Sequence, residues 1–415
     1  MSRNPDGVPG GPGIASITKY IPHDSIPHAG GQYLWRHCQA LAPEYRLTLI
    51  APDTPDNRAS RDRLDLPADV ELVAGSGAFR GGRLKPLADL ESAWAGSSAT
   101  RNVRRAFSHG DAPWNALARA DVIEFQWSEM MSLAPVVRRR LPGIPLVGIA
   151  HDVITQRWER AGEAARWPLS AAYAWGARRS RPREAESFAQ LDLLLAFSEK
   201  DAALARSLAP STRVEVVHPG LGPEPGTLPP RAPEPEAPIV LFTGALGRGD
   251  NHDAAMWFLT RVWPAVLAEV PDARFVAAGA GPRPELERLV AQTPRAELTG
   301  FVDSLEPWYA RASVFVAPLA TGAGVKFKTI DAMLRGVPVV ATPVGAEGID
   351  APEHFAGIET EPDAFAIAVV RTLRDDAGVG ERAARWADGV YGAEAFRTRL
   401  RTLYAGLRAD SRGGA

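Results

Sequence analysis

The stretch Gly322-Ala323-Gly324-Val325-Lys326-Phe327-Lys328 is followed, three residues on, by Asp331. It holds two of the chain's five lysines, the others being Lys19, Lys85 and Lys200, while arginine supplies nearly all the remaining positive charge. A helix starting near Lys328 would turn unbonded backbone N–H groups, and its positive dipole end, toward the loop before it. Gly322 and Gly324 carry no side chains that would keep an anion off that main chain. Two ammonium groups there suit phosphate oxygens, each charge-assisted hydrogen bond contributing about 1.5–3 kcal/mol. Asp331, one turn into the helix, is a good acceptor for a pair of ribose hydroxyls. Taken together these residues read as a site for a nucleoside diphosphate. Taken apart they are a basic helix start and a solvated aspartate.

The elements that would position them alternate regularly. In the first half "ASITKYI", "YRLTLIAP", "VELVAG", "ADVIEFQW", "IPLVGIAHD", "LDLLLAFS" and "VEVVHPG" read as strands, several of them continuous apolar runs suited to a parallel sheet covered on both faces. Helical segments such as "GQYLWRHCQALAPE" and "EKDAALARSLA" fit between them. The prolines of "GPEPGTLPPRAPEPEAP" make residues 223–238 an extended linker. The alternation then restarts with "PIVLFTGA", "ARFVAAGA", "AELTGFV", "ASVFVAPL" and "VPVVATPV". The expected fold class is therefore α/β, with two doubly wound Rossmann-like domains at residues 14–222 and 239–385. A disordered leader (1–13) precedes them, and a final helix (386–415) closes the chain. Ligands of open parallel sheets sit outside the carboxyl ends of the strands. That places Gly30-Gly31, the Gly244–Asn251 loop and the Gly322–Lys328 loop at one expected interdomain cleft.

Composition narrows the function classes. At 415 residues, 45% hydrophobic and 23% charged, the chain is an ordinary globular protein, and a net charge of -2 gives no reason to expect nucleic acid. The single cysteine, Cys38, fits a reducing cytoplasm and reads as a buried, inert thiol; its neighbour His37 points elsewhere on the helix, so no thiol dyad results. No apolar run is long enough to span a bilayer, and the N-terminus lacks the core of a signal peptide. Arg138-Arg139-Arg140 and the "RRSRPR" stretch could touch anionic lipid headgroups, although solvated helix faces explain them as well. "GAGPRP" at Gly279 lacks the third glycine of a dinucleotide fingerprint, and "HDVITQRWER" matches no zinc spacing. Trp35, Trp127, Trp158, Trp167 and Trp175 enrich the first half in aromatics, for which core packing is the simplest account.

The block from Ile239 to Ile349 resembles the nucleotide-sugar domain of GT-B glycosyltransferases, specifically the retaining glycosyltransferase family 4. The likeness runs through "VLFTGALGRGDNHDAAMWFLTRVWPAVLAEVPDARFVAAGAGP", "LTGFVDS" and "ASVFVAPLATGAGVKFKTIDAMLRGVPVVATPVGAEGI". In the first half "PHAGGQYLWRHCQAL", "AHDV", "LLLAFSEKDA" and "VEVVHPGL" are more loosely similar. The resemblance implies that Asp331 holds the donor ribose, that Lys328 contacts the diphosphate, and that Lys326 is the extra lysine of a family subset. It places Val302 and Asp303 at the nucleobase pocket and Gly30-Gly31 in a loop approaching the diphosphate. Gly244 joins the donor loop, as do Gly322, Ala323, Gly324 and Val325. His151 stands where the family keeps an active-site histidine. The final helix is implied to cross back onto the N-terminal domain. The sequence departs from the pattern at Ala323, where members usually carry a glutamate contacting the donor sugar, and at Ala245, where an arginine is usual; Arg248, Asn251 and His252 lie nearby.

These assignments imply retaining transfer of a sugar from a nucleoside-diphosphate sugar, UDP favoured and GDP possible, to a glycan or small-molecule hydroxyl. The lysines, Arg248 and backbone amides would stabilise the leaving diphosphate without a metal or any other cofactor. Two other readings stay open: a nucleotide-sugar epimerase of the same architecture, and a non-catalytic nucleotide-sugar-binding protein.

Overall fold

Apolar runs such as Leu193–Ala196 and Ile239–Thr243 have no polar face to give to water, so they need strand positions covered on both sides. In the computed structural model both are fully buried interior strands. The structure describes residues 11–26, 29–73, 101–109, 113–221, 237–322, 324–375 and 377–413. Most of the expected leader and linker, and Ala323, lie outside the described residues.

The chain divides into two compact units, one formed by residues up to Pro219 together with Phe396 onward, the other by Gly220–Ala395. The first contains strands β1 (Gly13–Ile17), β2 (Arg46–Pro52), β3 (Ala68–Val73), β4 (Val122–Gln126), β5 (Leu146–Ala150), β6 (Leu193–Ala196) and β7 (Val214–Val216). They form a parallel sheet in the order β3-β2-β1-β4-β5-β6-β7. The second contains β8 (Ile239–Thr243), β9 (Arg274–Ala278), β10 (Ala296–Gly300), β11 (Val314–Ala317), β12 (Val339–Ala341) and β13 (Gly357–Ile358). Its order, β10-β9-β8-β11-β12-β13, is again all parallel and reverses direction beside its first strand. Both are doubly wound sheets of the Rossmann type, and the reversal marks where ligands bind such sheets. The two-residue strand β13 has no counterpart in the sequence reading, because Gly357-Ile358 is too short to show a period.

Seven helices position the functional residues or join the units: α1 (Ala29–Leu41), α2 (Ile154–Ala164), α3 (Leu169–Phe188), α4 (Gly249–Trp257), α5 (Phe327–Leu334), α6 (Val379–Tyr391) and α7 (Ala393–Gly413). The segment expected as one final helix from residue 386 is two helices. Gly392, with ψ 158°, is extended and breaks the run between α6 and α7. Helix α6 stays with the second unit and α7 packs into the first. Phe396, Leu400, Leu403, Tyr404 and Leu407 are buried there. The Tyr404 hydroxyl donates to Glu124, a carboxylate wholly buried in strand β4 that also accepts from Ser16 Oγ at 2.5 Å and pairs with His37 Nε2 at 3.0 Å. Cys38 is buried, and burial pushes its thiol pKa well up, as an inert thiol requires.

Candidate active site

In the second unit, helix α5 begins at Phe327 with Lys326 at its N-cap, one residue earlier than the sequence suggested. Thr329, Ile330, Ala332 and Met333 bury one side of the helix, leaving Lys328 and Asp331, three residues apart, on a common half-buried face. The loops around this helix are tied together. Thr329 Oγ1 donates to the Gly345 carbonyl at 2.8 Å, and Thr342 Oγ1 to the Leu319 carbonyl at 2.5 Å, joining the turns beyond β11 and β12. Gly322 and Gly324 both have positive φ, 130° and 72°, which their lack of a Cβ permits.

Lys328 is fixed by two neutral neighbours. Its Nζ donates to Asn251 Oδ1 at 2.5 Å and lies 4.6 Å from the centre of the Phe242 ring. Asn251 is itself fixed by donating from Nδ2 to the Ala245 carbonyl at 3.0 Å. Gly244 makes the arrangement possible. A Cβ at that position, where φ is +152°, would sit 2.8 Å from both Lys328 Nζ and Asn251 Nδ2. Burial pushes the Lys328 ammonium down to about 7; Arg248 and Lys326 push the same way, against Asp250. The expected residues Gly244, Gly322 and Gly324 thus sit on turns beyond β8 and β11, Lys328 in the first turn of α5, and Asn251, in α4, is the added member.

Other expected residues are engaged differently. Lys326 is buried and donates to the Gly324 carbonyl at 2.7 Å and to Glu347 at 3.2 Å. Val325 packs against Gly348 in the same turn as Glu347. Arg248 is largely exposed, and its guanidinium pairs with Asp250 at 3.0 Å. Asp331 accepts from Arg335 at 3.1 Å, and Arg335 is anchored in turn by Glu306 at 2.5 Å and lies over the Tyr309 ring at 4.8 Å. Val302 and Asp303 come after β10, the edge strand, Val302 half-buried and Asp303 exposed. His252 is buried in the first turn of α4.

In the first unit, His151 comes directly after β5 and is enclosed by three aromatic rings. Trp127 stacks on it at 4.4 Å between centroids with 16° between planes, and Tyr33 and Phe197 present their edges at 5.1 Å each. Helix α1 brings Gly30 against this cluster. A Cβ on Gly30 would lie 3.1 Å from the Trp127 ring and 3.4 Å from His151 Nδ1, a crowded fit that glycine avoids. Trp127 adopts φ 72°, a left-handed conformation that a bulky side chain rarely takes and that concentrates at functional sites. Beside it, Glu129 pairs with Lys19 at 3.0 Å and Arg157 at 3.4 Å, and Arg157 with Asp152 at 3.1 Å. Burial opposes the charge of Glu129, but Lys19 and Arg157 hold its carboxyl down at about 2.

Residues 30–224 match the model of Glycosyltransferase Family 4, and residues 237–375 match that of Glycosyl transferases group 1. The chain belongs to this glycosyltransferase family. Among curated proteins it is similar to an uncharacterized 44.6 kDa protein in the cps region of Klebsiella pneumoniae, 33% identical over 116 residues. That match spans 26% of this glycosyltransferase and 30% of the relative. Among solved structures it is similar to sucrose-phosphate synthase of Thermosynechococcus elongatus (TM-score 0.69, 19% identity, 96% of this chain and 100% of that one). It is also similar to HepE of Anabaena, solved with UDP and glucose (0.61, 13%, 94% and 99%), and to WaaG, a glycosyltransferase of lipopolysaccharide biosynthesis (0.61, 15%, 93% and 99%). These likenesses establish the GT-B fold for this glycosyltransferase.

Sequence reasoning named the lysines, glycines and His151 but missed what holds them. Asn251 entered only as a neighbour, and Trp127, rightly read as buried, was not connected with His151. The signal for Trp127 was its place directly after a buried strand, where a ring has access to the carboxyl end of the sheet.

Proposed function

We propose that this chain transfers a sugar from a nucleoside-diphosphate sugar, UDP before GDP, to a hydroxyl of a glycan or small-molecule acceptor, with retention at the anomeric carbon. One observation carries the reading: the Lys328 ammonium is held by Asn251 and Phe242 at the start of α5, and among the described residues no carboxylate pairs with it. A half-buried cation with no carboxylate in direct contact is costly, and a bound diphosphate would offset that cost. Asp331, on the same face, takes the ribose hydroxyls. The presence of UDP in HepE supports a uridine nucleotide.

In the transfer the bond between the anomeric carbon and the diphosphate oxygen breaks, and its electron pair stays on the diphosphate. The acceptor hydroxyl oxygen bonds to the same face of that carbon, and its proton passes to the departing phosphate oxygen. Lys328 and the amides of Gly322 and Gly324 act where the negative charge develops, without a divalent metal. Lys326, neutralised by Glu347 in the free chain, contributes a smaller share. His151, oriented by Trp127, polarises a hydroxyl of the transferred sugar.

The test is a thermal-shift screen of UDP-, GDP- and dTDP-sugars, then release of nucleoside diphosphate with an acceptor panel and proton NMR of the product. Stabilisation by a UDP-sugar, acceptor-dependent release that survives EDTA, and an unchanged anomeric configuration are expected. Conversion of donor without acceptor would replace the reading with epimerisation.

A further inference from the structure

Five large hydrophobic side chains are exposed among the described residues, and three of them fall within nine positions. Trp167 is 83% exposed, Leu169 60% and Trp175 42%. They lie at the tip of the hairpin made by α2 and α3, in the connection and the first two turns of α3. The hairpin closes on itself through Ile154, Trp158, Ala177 and Tyr173, with Trp158 and Tyr173 5.8 Å apart, so the three exposed side chains are not needed to hold it together. Core packing, the simplest account of these tryptophans in the sequence, holds for Trp127 and Trp158 and fails for Trp167 and Trp175.

Arginines outnumber carboxylates around the tip, Glu163 and Glu159 being the exposed acids nearest it. Arg166 adjoins Trp167, and Arg178, Arg179, Arg181 and Arg183 lie one to two turns beyond Trp175. Arg179 places its guanidinium 5.7 Å from the centre of the Trp175 ring. The exposed carboxylates nearby are fewer, and one of them, Glu159, is paired with Arg181 at 3.7 Å. Apolar and aromatic side chains leading, with arginines set back behind them, is the order of a segment that dips into a lipid interface. The tryptophans enter the headgroup–acyl boundary while the arginines remain level with the phosphates. The sign of the charge selects an anionic surface.

We propose that the α2–α3 hairpin docks this chain onto an anionic bilayer, with Trp167, Leu169 and Trp175 inserted and Arg166, Arg178 and Arg179 on lipid phosphates. None of these residues belongs to the catalytic or donor-binding set. No described helix is long and apolar enough to cross a membrane, so the attachment is peripheral. Each arginine near such a surface adds a modest attraction that salt screens.

The experiment is co-sedimentation of the full chain with vesicles of phosphatidylcholine alone or mixed with phosphatidylglycerol, read together with tryptophan fluorescence. Binding to the mixed vesicles, a blue shift, and weakening by added salt are expected. The double variant Trp167→Ser/Trp175→Ser should bind at least about tenfold more weakly, from loss of buried aromatic area. Arg178→Glu/Arg179→Glu should abolish the preference for phosphatidylglycerol. Both variants alter exposed side chains and should keep the wild-type melting temperature and UDP affinity. Absence of vesicle binding, or equal binding by the tryptophan variant, would overturn the proposal. So would sedimentation showing that the chain self-associates and that Trp167→Ser/Trp175→Ser dissolves the oligomer, since the tip would then be a protein interface.

Discussion

The Lys328 ammonium lies 4.6 Å from the centre of the Phe242 ring, while Asn251, its one hydrogen-bond partner among the described residues, is neutral. A ring face and an amide satisfy a cation's geometry without cancelling its charge. On the reading proposed above, an anionic ligand supplies the charge that these two neutral neighbours do not.

That arrangement makes donor binding depend on pH. In the free chain burial holds Lys328 at about 7, so above neutrality it is increasingly uncharged. A bound diphosphate favours the ammonium and raises its pKa, so binding takes up a proton above pH 7. The dissociation constant for UDP should rise between pH 7 and 9, by up to about tenfold per unit. Calorimetry in buffers of different ionisation enthalpy would show the uptake.

The same group affects folding with a definite sign. An unfolded lysine keeps its proton to about pH 10.4, so between about 7 and 10.4 the unfolded chain binds the extra proton and stability rises with pH. Below pH 7 the full cost of burying the charge remains. Lys328→Met should therefore melt higher than wild type at pH 7, with the difference narrowing toward pH 10, while UDP binding is lost.

Gly244→Ala tests the space around the lysine. The new methyl would fall 2.8 Å from Lys328 Nζ and Asn251 Nδ2 at a backbone φ of +152°. Strain of about 1–3 kcal/mol should lower the melting temperature, and UDP affinity should fall at least about tenfold as both side chains are displaced.

Trp127→Ala removes the ring stacked on His151. Loss of a buried tryptophan should cost about 3–5 kcal/mol, whereas Trp127→Phe should retain most of the stability. If His151 acts on the transferred sugar, turnover should fall in Trp127→Phe with little change in UDP affinity. A parallel loss of both would make the ring structural.

Tyr404→Phe tests how α7 is fastened. It removes one donor from the buried Glu124 carboxylate and should cost about 1–3 kcal/mol. Burial opposes the charge on Glu124, but His37, Ser16 and Tyr404 hold its pKa below the usual value. The stability it contributes is present above the ordinary glutamate pKa and is lost as pH falls through the lowered one. Acid unfolding of the first unit should begin at higher pH in Tyr404→Phe.

The strands were legible because most are short apolar runs between turn residues, and the Gly322–Lys328 segment because lysine is rare in this chain. Asn251 was hard to read, since its role depends on β8 and β11 being neighbours, which links residues 77 apart in sequence. Glu347 was hidden for the same reason: the turn after β12 closes onto the turn after β11. The break at Gly392 was missed because "EAFRTRLRTLYAGL" and the segment before it are both amphipathic, and a glycine inside such a pattern does not by itself mark a boundary. The exposed tip at Trp167 and Trp175 could not be separated from core aromatics without burial.

The most direct measurement is the calorimetric affinity of wild type and Lys328→Ala for UDP at pH 7, with melting temperature as the control for folding. A loss of about tenfold or more in a variant that melts no lower than wild type is predicted, since one charge-assisted contact is worth about 1.5–3 kcal/mol. Equal affinity in the two proteins would contradict the assignment of Lys328 to the donor diphosphate and, with it, the proposed donor site.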